Sequence, residues 1–568
     1  MSNDKTVVWL GAAVFIGSFL RIWQGLDFTD MGYWLTGYQQ LYTFPQGIGG
    51  GIVNWLTYFI GYSFGALLGG TVLSYRLGYA LVVTLSAVLS YLLLSKELGR
   101  SRVLAAVILL TALYAGKAIG NWVGYNNLTA LFYLVGASLL YHGLVNQKLI
   151  WIVVVGAVLG ANVFVRLPNV LGLLLVSAIC LYAFAEQWSW RKNLLWSAWF
   201  GAGFLVGLAI IWLLIVMSGH DALYLKGIDW ITDMAADDGS SHSGGGLIKL
   251  FLFDQALACA YALLTIIVGL LVANWIVGRH VLIVSGVMVL LTGLLFGLIN
   301  HMSNGYSDSG KWAVTGLCYI LLMIIVVREF RNNISLSLMA FIAGLILFIA
   351  PLGSNNGIAN AKYGLWLALP LCLMWLWQGA NLRLGKFTLK LGATRLFAGV
   401  IMLALSCQTL IATWRYTYND SQDRTSMQYG IAHPLLIGTY TTKERAKVVG
   451  ELLVVMKQLV KPSDELLAYN QISMLHFLTE THPYLDNSWL EFYSPKKLDA
   501  LLREKEMRPI KLPIIVRAKG NTSSASWPVN IQYLNRREAR RQVFEQFERK
   551  HGYVLIWANE FFEVLQPS

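Results

Sequence analysis

Two carboxylates, Asp27 and Asp30, stand three residues apart in the stretch GLDFTDMGYWLTGY, directly after the first apolar run of the chain. No Lys or Arg occurs between Asp27 and Val72. The acids therefore have no basic neighbour close in sequence, and water, a ligand or a distant side chain has to satisfy them. A carboxylate left without a local partner at a membrane boundary usually has a function. The alternative is a solvated acidic turn that helps fix topology.

The rest of the chain must position these acids, and its composition says in what medium. Of 568 residues, 56% are hydrophobic and 13% charged, with a mean hydropathy of +0.57. That much apolar surface indicates a polytopic α-helical membrane protein. The net charge of +13 sits mostly in short loops between apolar runs, the positive-inside pattern, so no nucleic-acid partner is expected. The cysteines, Cys180, Cys259, Cys318, Cys372 and Cys407, fall inside apolar runs without a CxxC pair, and neither a disulfide framework nor a metal site is indicated. The N-terminus reads as a retained signal anchor.

About 20 helical residues cross the hydrocarbon layer. Runs of that length fall at 7–24, 73–95, 103–118, 128–146, 150–165, 168–186, 194–217, 255–277, 281–300, 312–327, 334–352, 363–378 and 395–413, giving thirteen expected helices over residues 1–413. Lys5, then Lys96, Arg100 and Arg102, then Lys148, Arg191, Lys192, Arg279, Arg328, Arg331, Arg383, Lys386, Lys390 and Arg395 all land on one side, which is therefore cytoplasmic. The stretch 51–70 is apolar enough to span, but a crossing there would invert every later loop. It is placed flat at the outer interface, a depth that suits Trp55 and Tyr58.

Thirteen crossings from a cytoplasmic start leave residues 414–568 outside. Their mixed charge and alternating patterns predict a small α/β domain: a helix over 443–459 and strands near 465–469, 512–516, 553–557 and 561–565. His433, His476 and His482 match no metal-ligand spacing and are expected to be structural or solvated. No internal repeat, nucleotide loop or nucleophile triad is evident.

Several short features occur in a fixed order through the first hundred residues. They are Arg21 late in the first helix, Asp27 and Asp30 followed by Gly32 and Tyr33, then Pro45 with an aromatic interfacial helix, then Arg76 in LSYRLGYAL and the basic turn KELGRSR. This order resembles the GT-C class of integral-membrane glycosyltransferases, which includes protein O-mannosyltransferases, lipid A aminoarabinose transferases and oligosaccharyltransferases. The resemblance covers residues 5–120 most closely and is looser through the seventh helix.

The resemblance implies a sugar taken from a polyprenyl-phosphate carrier and passed to an acceptor hydroxyl of a glycan, lipid or protein at the outer face, with inversion at the anomeric carbon. The acid of the first outer loop would be the general base. The position matching the family's catalytic acid is Asp30, and Asp27 is an auxiliary that binds sugar hydroxyls or raises its neighbour's pKa. The family often has a second acid beside the first, where this chain has Met31, so the choice between the two aspartates stays open.

A phosphate leaving group needs cations at the same boundary. Candidates are Arg21, Arg76, Lys117, Arg166, Lys226, Lys249, Lys311 and Lys362. Arg166 is the sharpest, held near membrane depth in FVRLPN where Pro168 breaks the helix; its bland alternative is snorkelling to headgroups. Arg21 and Arg76 could instead pair with Asp27 or Asp30. Amides that both donate and accept, Asn126, Asn127, Asn169, Asn355, Asn356 and Asn360, suit sugar hydroxyls or loop turns alike. Asp237, Asp238 and His242 lie in a Gly/Ser-rich stretch that reads as a mobile loop. Arginine and lysine suffice to neutralise the phosphate, so no metal or other cofactor is expected, although the oligosaccharyltransferase branch of the class is metal-dependent. A plasma (inner) membrane with a periplasmic active side is the expected setting. The competing reading is a lipid-linked glycan flippase without catalysis.

Overall fold

The computed structural model describes residues 5–116, 120–236, 244–276, 308–379, 383–384, 387–388, 391–415, 417–421, 423–507, 511–532 and 538–568. The expected helix 281–300, with Lys117, Asp237, Asp238, His242, Arg279, Lys386, Lys390 and the side chains of Lys311 and Arg383, lies outside the described residues.

Among the described residues, eight helices are long and apolar enough to cross a membrane: Pro45–Leu68, Val72–Leu98, Tyr125–Val145, Leu167–Ala185, Trp190–Met217, Gly244–Leu270, Trp312–Glu329 and Gly392–Arg415. Shorter apolar helices at Lys5–Phe19, Arg102–Gly116, Leu149–Asn162, Ile334–Ile349 and Leu365–Gln378 fall on other runs read from the sequence. The protein is thus a multi-pass helical membrane protein with a small C-terminal sheet region. The stretch read as interfacial differs from a plain helix. It begins as a 3₁₀ segment, Pro45–Asn54, broken at Gly49 (φ 58°), and continues as the 14-residue helix Trp55–Leu68. That second part is roughly 21 Å long, short of the ~30 Å hydrocarbon layer on its own.

Small residues let helices meet where no water drives them together. Gly156 and Gly160 on one helix face Gly203 and Gly207 on another: a Cβ on Gly156 would lie 2.8 Å from the Phe204 nitrogen, and one on Gly207 2.8 Å from Ala157 Cα. The two backbones are therefore in direct contact along this seam.

Helix Asp30–Gln40 was not apparent in the sequence. Residues 31–38 and Gln40 are all buried, so the segment shows no polar face and no helical period. It is started by a carboxylate: Asp27 accepts hydrogen bonds from the amides of Thr29 (2.9 Å) and Met31 (2.7 Å), satisfying donors that a helix N-terminus leaves open. It stops before Phe44 and Pro45, whose ring bars a further helical turn.

Residues from 417 onward form a five-stranded sheet, with β1 Glu465–Tyr469, β2 His482–Pro483, β3 Ile514–Ala518, β4 Tyr553–Ala558 and β5 Phe562–Pro567 in the order β2-β1-β3-β5-β4. β1 is parallel to β2 and β3, and β5 is antiparallel to β3 and β4. The side chains alternate between two cores. Leu466, Ala468, Val516, Ala518, Phe562 and Val564 join the core that runs on into the membrane helices. Leu467, Tyr469, Ile515 and Leu565 pack with Leu498, Leu502, Phe544 and Phe547 of the outer helices Pro495–Glu506 and Ala539–Lys550. The helix Lys443–Leu459 and β1 lie where the sequence places them.

The C-terminal region is seated on helix Asp30–Gln40. Met474 N donates to Phe28 O (3.0 Å), Thr36 Oγ1 to Ser473 O (3.2 Å) and Gln40 Nε2 to Thr481 O (2.9 Å). Gly32 makes this approach possible, since a Cβ there would sit 2.5 Å from Met474 Cα and closer still to its amide nitrogen. Gly32→Ala should destabilise the protein by about 1–3 kcal/mol, the usual cost of overpacking. Gly201→Ala, where a Cβ meets nothing within 4 Å, is the control. Thermal denaturation in detergent that shows equal midpoints for the two variants would refute the close fit.

Candidate functional site

The loop between the first helix and helix Asp30–Gln40 is built from both ends of the chain. Tyr440 N donates to Trp23 O (2.8 Å) and Tyr440 O accepts from Gly25 N (2.9 Å), an isolated parallel bridge between Gln24 and Tyr440. Arg76 spends its guanidinium on the same loop, donating to Ile22 O (2.7 Å) and Gly25 O (2.5 Å). Arg21 donates to Gly116 O (3.4 Å). Among the described residues, neither arginine forms an ion pair with Asp27 or Asp30; both are buried and bind backbone carbonyls.

The two aspartates stand in different surroundings. Asp27 is 2% exposed. Its oxygens accept from Thr29 N, Thr29 Oγ1 (2.7 Å), Met31 N and Asn419 Nδ2 (3.1 Å). Burial holds its carboxyl above the ordinary carboxylate range, and these four donors offset only part of that rise. Asp27 is thus committed to holding the loop and the start of the helix.

Asp30 is half-buried, and its Oδ2 accepts a short hydrogen bond from the Tyr418 hydroxyl. No hydrogen bond to Oδ1 occurs among the described residues. Burial, followed by the charge of Asp27, pushes the Asp30 carboxyl up to about 7, against the opposing pull of Tyr418 and of the Lys362 ammonium. A carboxylate poised near neutrality with an uncommitted oxygen can accept a proton from a substrate hydroxyl.

Two of the expected cations share one aromatic ring, and one of them, Lys362, acts on Asp30 through its charge. Arg166 is 6% exposed and donates to Ala350 O (3.0 Å) and Leu352 O (3.2 Å), which leaves part of its five-donor fork for other acceptors. Its Cζ and the Lys362 Nζ each lie 5.8 Å from the ring centroid of Tyr363, so one aromatic ring carries both. The Tyr363 hydroxyl bonds Asn126 Oδ1 and Asn360 Oδ1 (3.0 Å). The Tyr125 hydroxyl lies within electrostatic reach of both Asp30 and Arg166. Asn126 and Asn360 are therefore part of this neighbourhood, whereas Asn355 and Asn356 are exposed on the turn before it. Asn169 is buried, donating to Thr129 Oγ1 (2.9 Å) and to Asn162.

Tyr33 lies within electrostatic reach of Tyr125 and also braces the C-terminal region. Its ring meets Trp489 and Phe492 of the C-terminal region edge-on, with centroids 5.8 Å away in both cases. The residues that sequence reasoning missed are Tyr418, Asn419, Asp420 and Arg445 around the acids, with Tyr125 and Tyr363 beside the cations. Only Tyr418–Asp420 had a signal, since they follow the last apolar run and so share a side with the first loop.

No family model matches the chain, and no curated protein matches it. Among solved structures, it is similar to the oligosaccharyltransferase of Archaeoglobus fulgidus in complex with Zn and sulfate, at 13% identity over 90% of this chain and 68% of that one, with a TM-score of 0.46. The archaeal oligosaccharyltransferase AglB of the same organism, in complex with an inhibitory peptide and a dolichol-phosphate, gives 13% identity, 90% and 69% coverage and a TM-score of 0.47. ArnT from Cupriavidus metallidurans bound to undecaprenyl phosphate gives 11% identity, 99% and 98% coverage and a TM-score of 0.36. These neighbours are GT-C glycosyltransferases.

Proposed function

We propose that the protein is a GT-C-type membrane glycosyltransferase that moves a sugar from a polyprenyl-phosphate carrier to an acceptor hydroxyl at the outer face of the membrane, with inversion. The observation that carries this reading is the half-buried Asp30, with no hydrogen bond to Oδ1 among the described residues, within reach of the Lys362 ammonium, which shares the Tyr363 ring with Arg166. In the proposed step Asp30 Oδ1 takes the acceptor's proton as the acceptor oxygen bonds to the anomeric carbon. The bond from that carbon to the phosphate oxygen breaks, and its electron pair leaves with the lipid phosphate. Lys362 and the free part of the Arg166 fork stabilise the charge that develops there. The acceptor is a glycan, a lipid or a protein, and the setting is the plasma (inner) membrane, with Asp30 and residues 414–568 on its outer side.

The test is transfer by purified full-length protein in nanodiscs, using a panel of polyprenyl-phosphate sugars and reading the product's anomeric configuration by NMR. Donor-dependent transfer with inversion is expected. No transfer across the panel, with carrier moving between leaflets of proteoliposomes, would replace this reading with the flippase. Within the same assay, Lys362→Met should raise the donor KM by roughly 10–100-fold, the worth of one charge-assisted contact. An unchanged donor KM would remove Lys362 from the phosphate site.

A further inference from the structure

Three consecutive residues, 388 or more positions away in sequence from the first loop, grip that loop from end to end. The Tyr418 hydroxyl donates to Asp30 Oδ2. Asn419 Nδ2 donates to Asp27 Oδ1 and to Thr29 Oγ1 (2.8 Å). Asp420 Oδ2 accepts from Leu26 N (2.6 Å). The stretch is itself fixed, because Arg445 pairs with Asp420 Oδ1 (2.7 Å) and donates to Asn419 O (3.0 Å). The Tyr418 ring meets Trp122 edge-on, 5.7 Å between centroids, so its hydroxyl is aimed from a held ring.

We infer that Tyr418 is a positioning residue for the transfer step: its hydrogen bond pins Asp30 Oδ2, turns Oδ1 toward the acceptor and sets how tightly the carboxylate holds a proton. The inference rests on the glycosyltransferase reading above. Its physical content is a balance. Asp27, on the same loop, disfavours the charged form of Asp30, while Tyr418 from the C-terminal region and Lys362 from the turn Gly357–Tyr363 favour it. Tyr125 faces Asp30 from helix Tyr125–Val145, and the charge of Asp27 is felt in turn by Arg76 and Arg445. Without the tyrosine hydroxyl, Asp30 would hold its proton to higher pH, and a smaller fraction of the protein would carry the base at pH 7.

The experiment is the pH profile of transfer by the full-length protein. Tyr418→Phe keeps the ring against Trp122 and removes only the donor. The acidic limb of kcat is expected to move upward by about one pH unit, lowering the rate about fivefold at pH 7 and recovering above pH 9, with an unchanged melting midpoint. Replacing Tyr418 by 3-fluorotyrosine, a more acidic and stronger donor in the same place, should move the limb downward, and it tests the idea even where the Phe variant folds poorly. A limb that stays put in both proteins overturns the inference and leaves the glycosyltransferase reading standing. A wild type without transfer overturns both.

Discussion

Asp30→Asn should cost about 10²–10⁴-fold in transfer, the usual contribution of a positioned general base, and should at the same time raise the melting temperature at pH 8. The second effect follows from the raised pKa. Asp30 sits at about 7 in the folded protein against an ordinary 3.8. The stability tied to this carboxyl is therefore complete below about pH 4 and lost as the pH rises through 7. At pH 8 the wild type carries a charge that the fold disfavours and that asparagine does not bear, while the asparagine oxygen can still accept from Tyr418. The difference in midpoint between variant and wild type should shrink toward pH 4. Asp27→Asn should instead lower stability through its hydrogen bonds, although burial holds the Asp27 carboxyl above the ordinary carboxylate range as well. An amide there turns a donor toward the Thr29 or Met31 amide, which leaves a buried donor unmade and costs about 1–3 kcal/mol. Stability traces from pH 4 to 8 on both variants, beside their transfer rates, check the assignment. An active Asp30→Asn protein, or one less stable than wild type at pH 8, would transfer the role of base elsewhere.

Arg445→Met should be the most destabilising single change in the C-terminal region, at about 3–5 kcal/mol. The Arg445–Asp420 pair has both side chains at 0% exposure. The arginine also donates to Trp527 O (2.9 Å) and lies with its Cζ 4.1 Å from the Trp527 ring centroid. Removing it strands a buried carboxylate on which Leu26 N and Thr441 Oγ1 (2.8 Å) depend. Because the cost is mainly that of the abandoned charge, Asp420→Asn combined with Arg445→Met should recover much of it. Chemical denaturation of the single and double variants measures this, and a double variant no better than Arg445→Met would show that packing rather than charge dominates. Transfer activity should fall with the single variant, since Asn419 and Tyr418 lose their support.

The sequence alone determined the medium and the materials. Long apolar runs require lipid, and no fold detail changes that. The acids at 27 and 30 and the arginine before Pro168 were visible as charges without local partners. The helix Lys443–Leu459 was legible because it buries one face and so prints its period on the sequence, whereas strand Glu465–Tyr469, buried on both faces, showed only as a short apolar run. Helix Asp30–Gln40 was not, because burial on every side erases that period.

Only the tertiary structure decided what surrounds each charge. Asp27 and Asp30 are chemically the same and three residues apart. They differ because Thr29, Met31 and Asn419 crowd donors onto one while burial, Asp27 and a single tyrosine act on the other. Arg21 and Arg76 were open to phosphate contact or to pairing with these acids, and in the structure they donate to the backbone carbonyls of Gly116, Ile22 and Gly25. The tyrosine that reaches Asp30 is 388 residues away. Hydrogen bonds depend on distances of about 3 Å, and those distances between remote segments exist only once the membrane helices and the C-terminal sheet share one core.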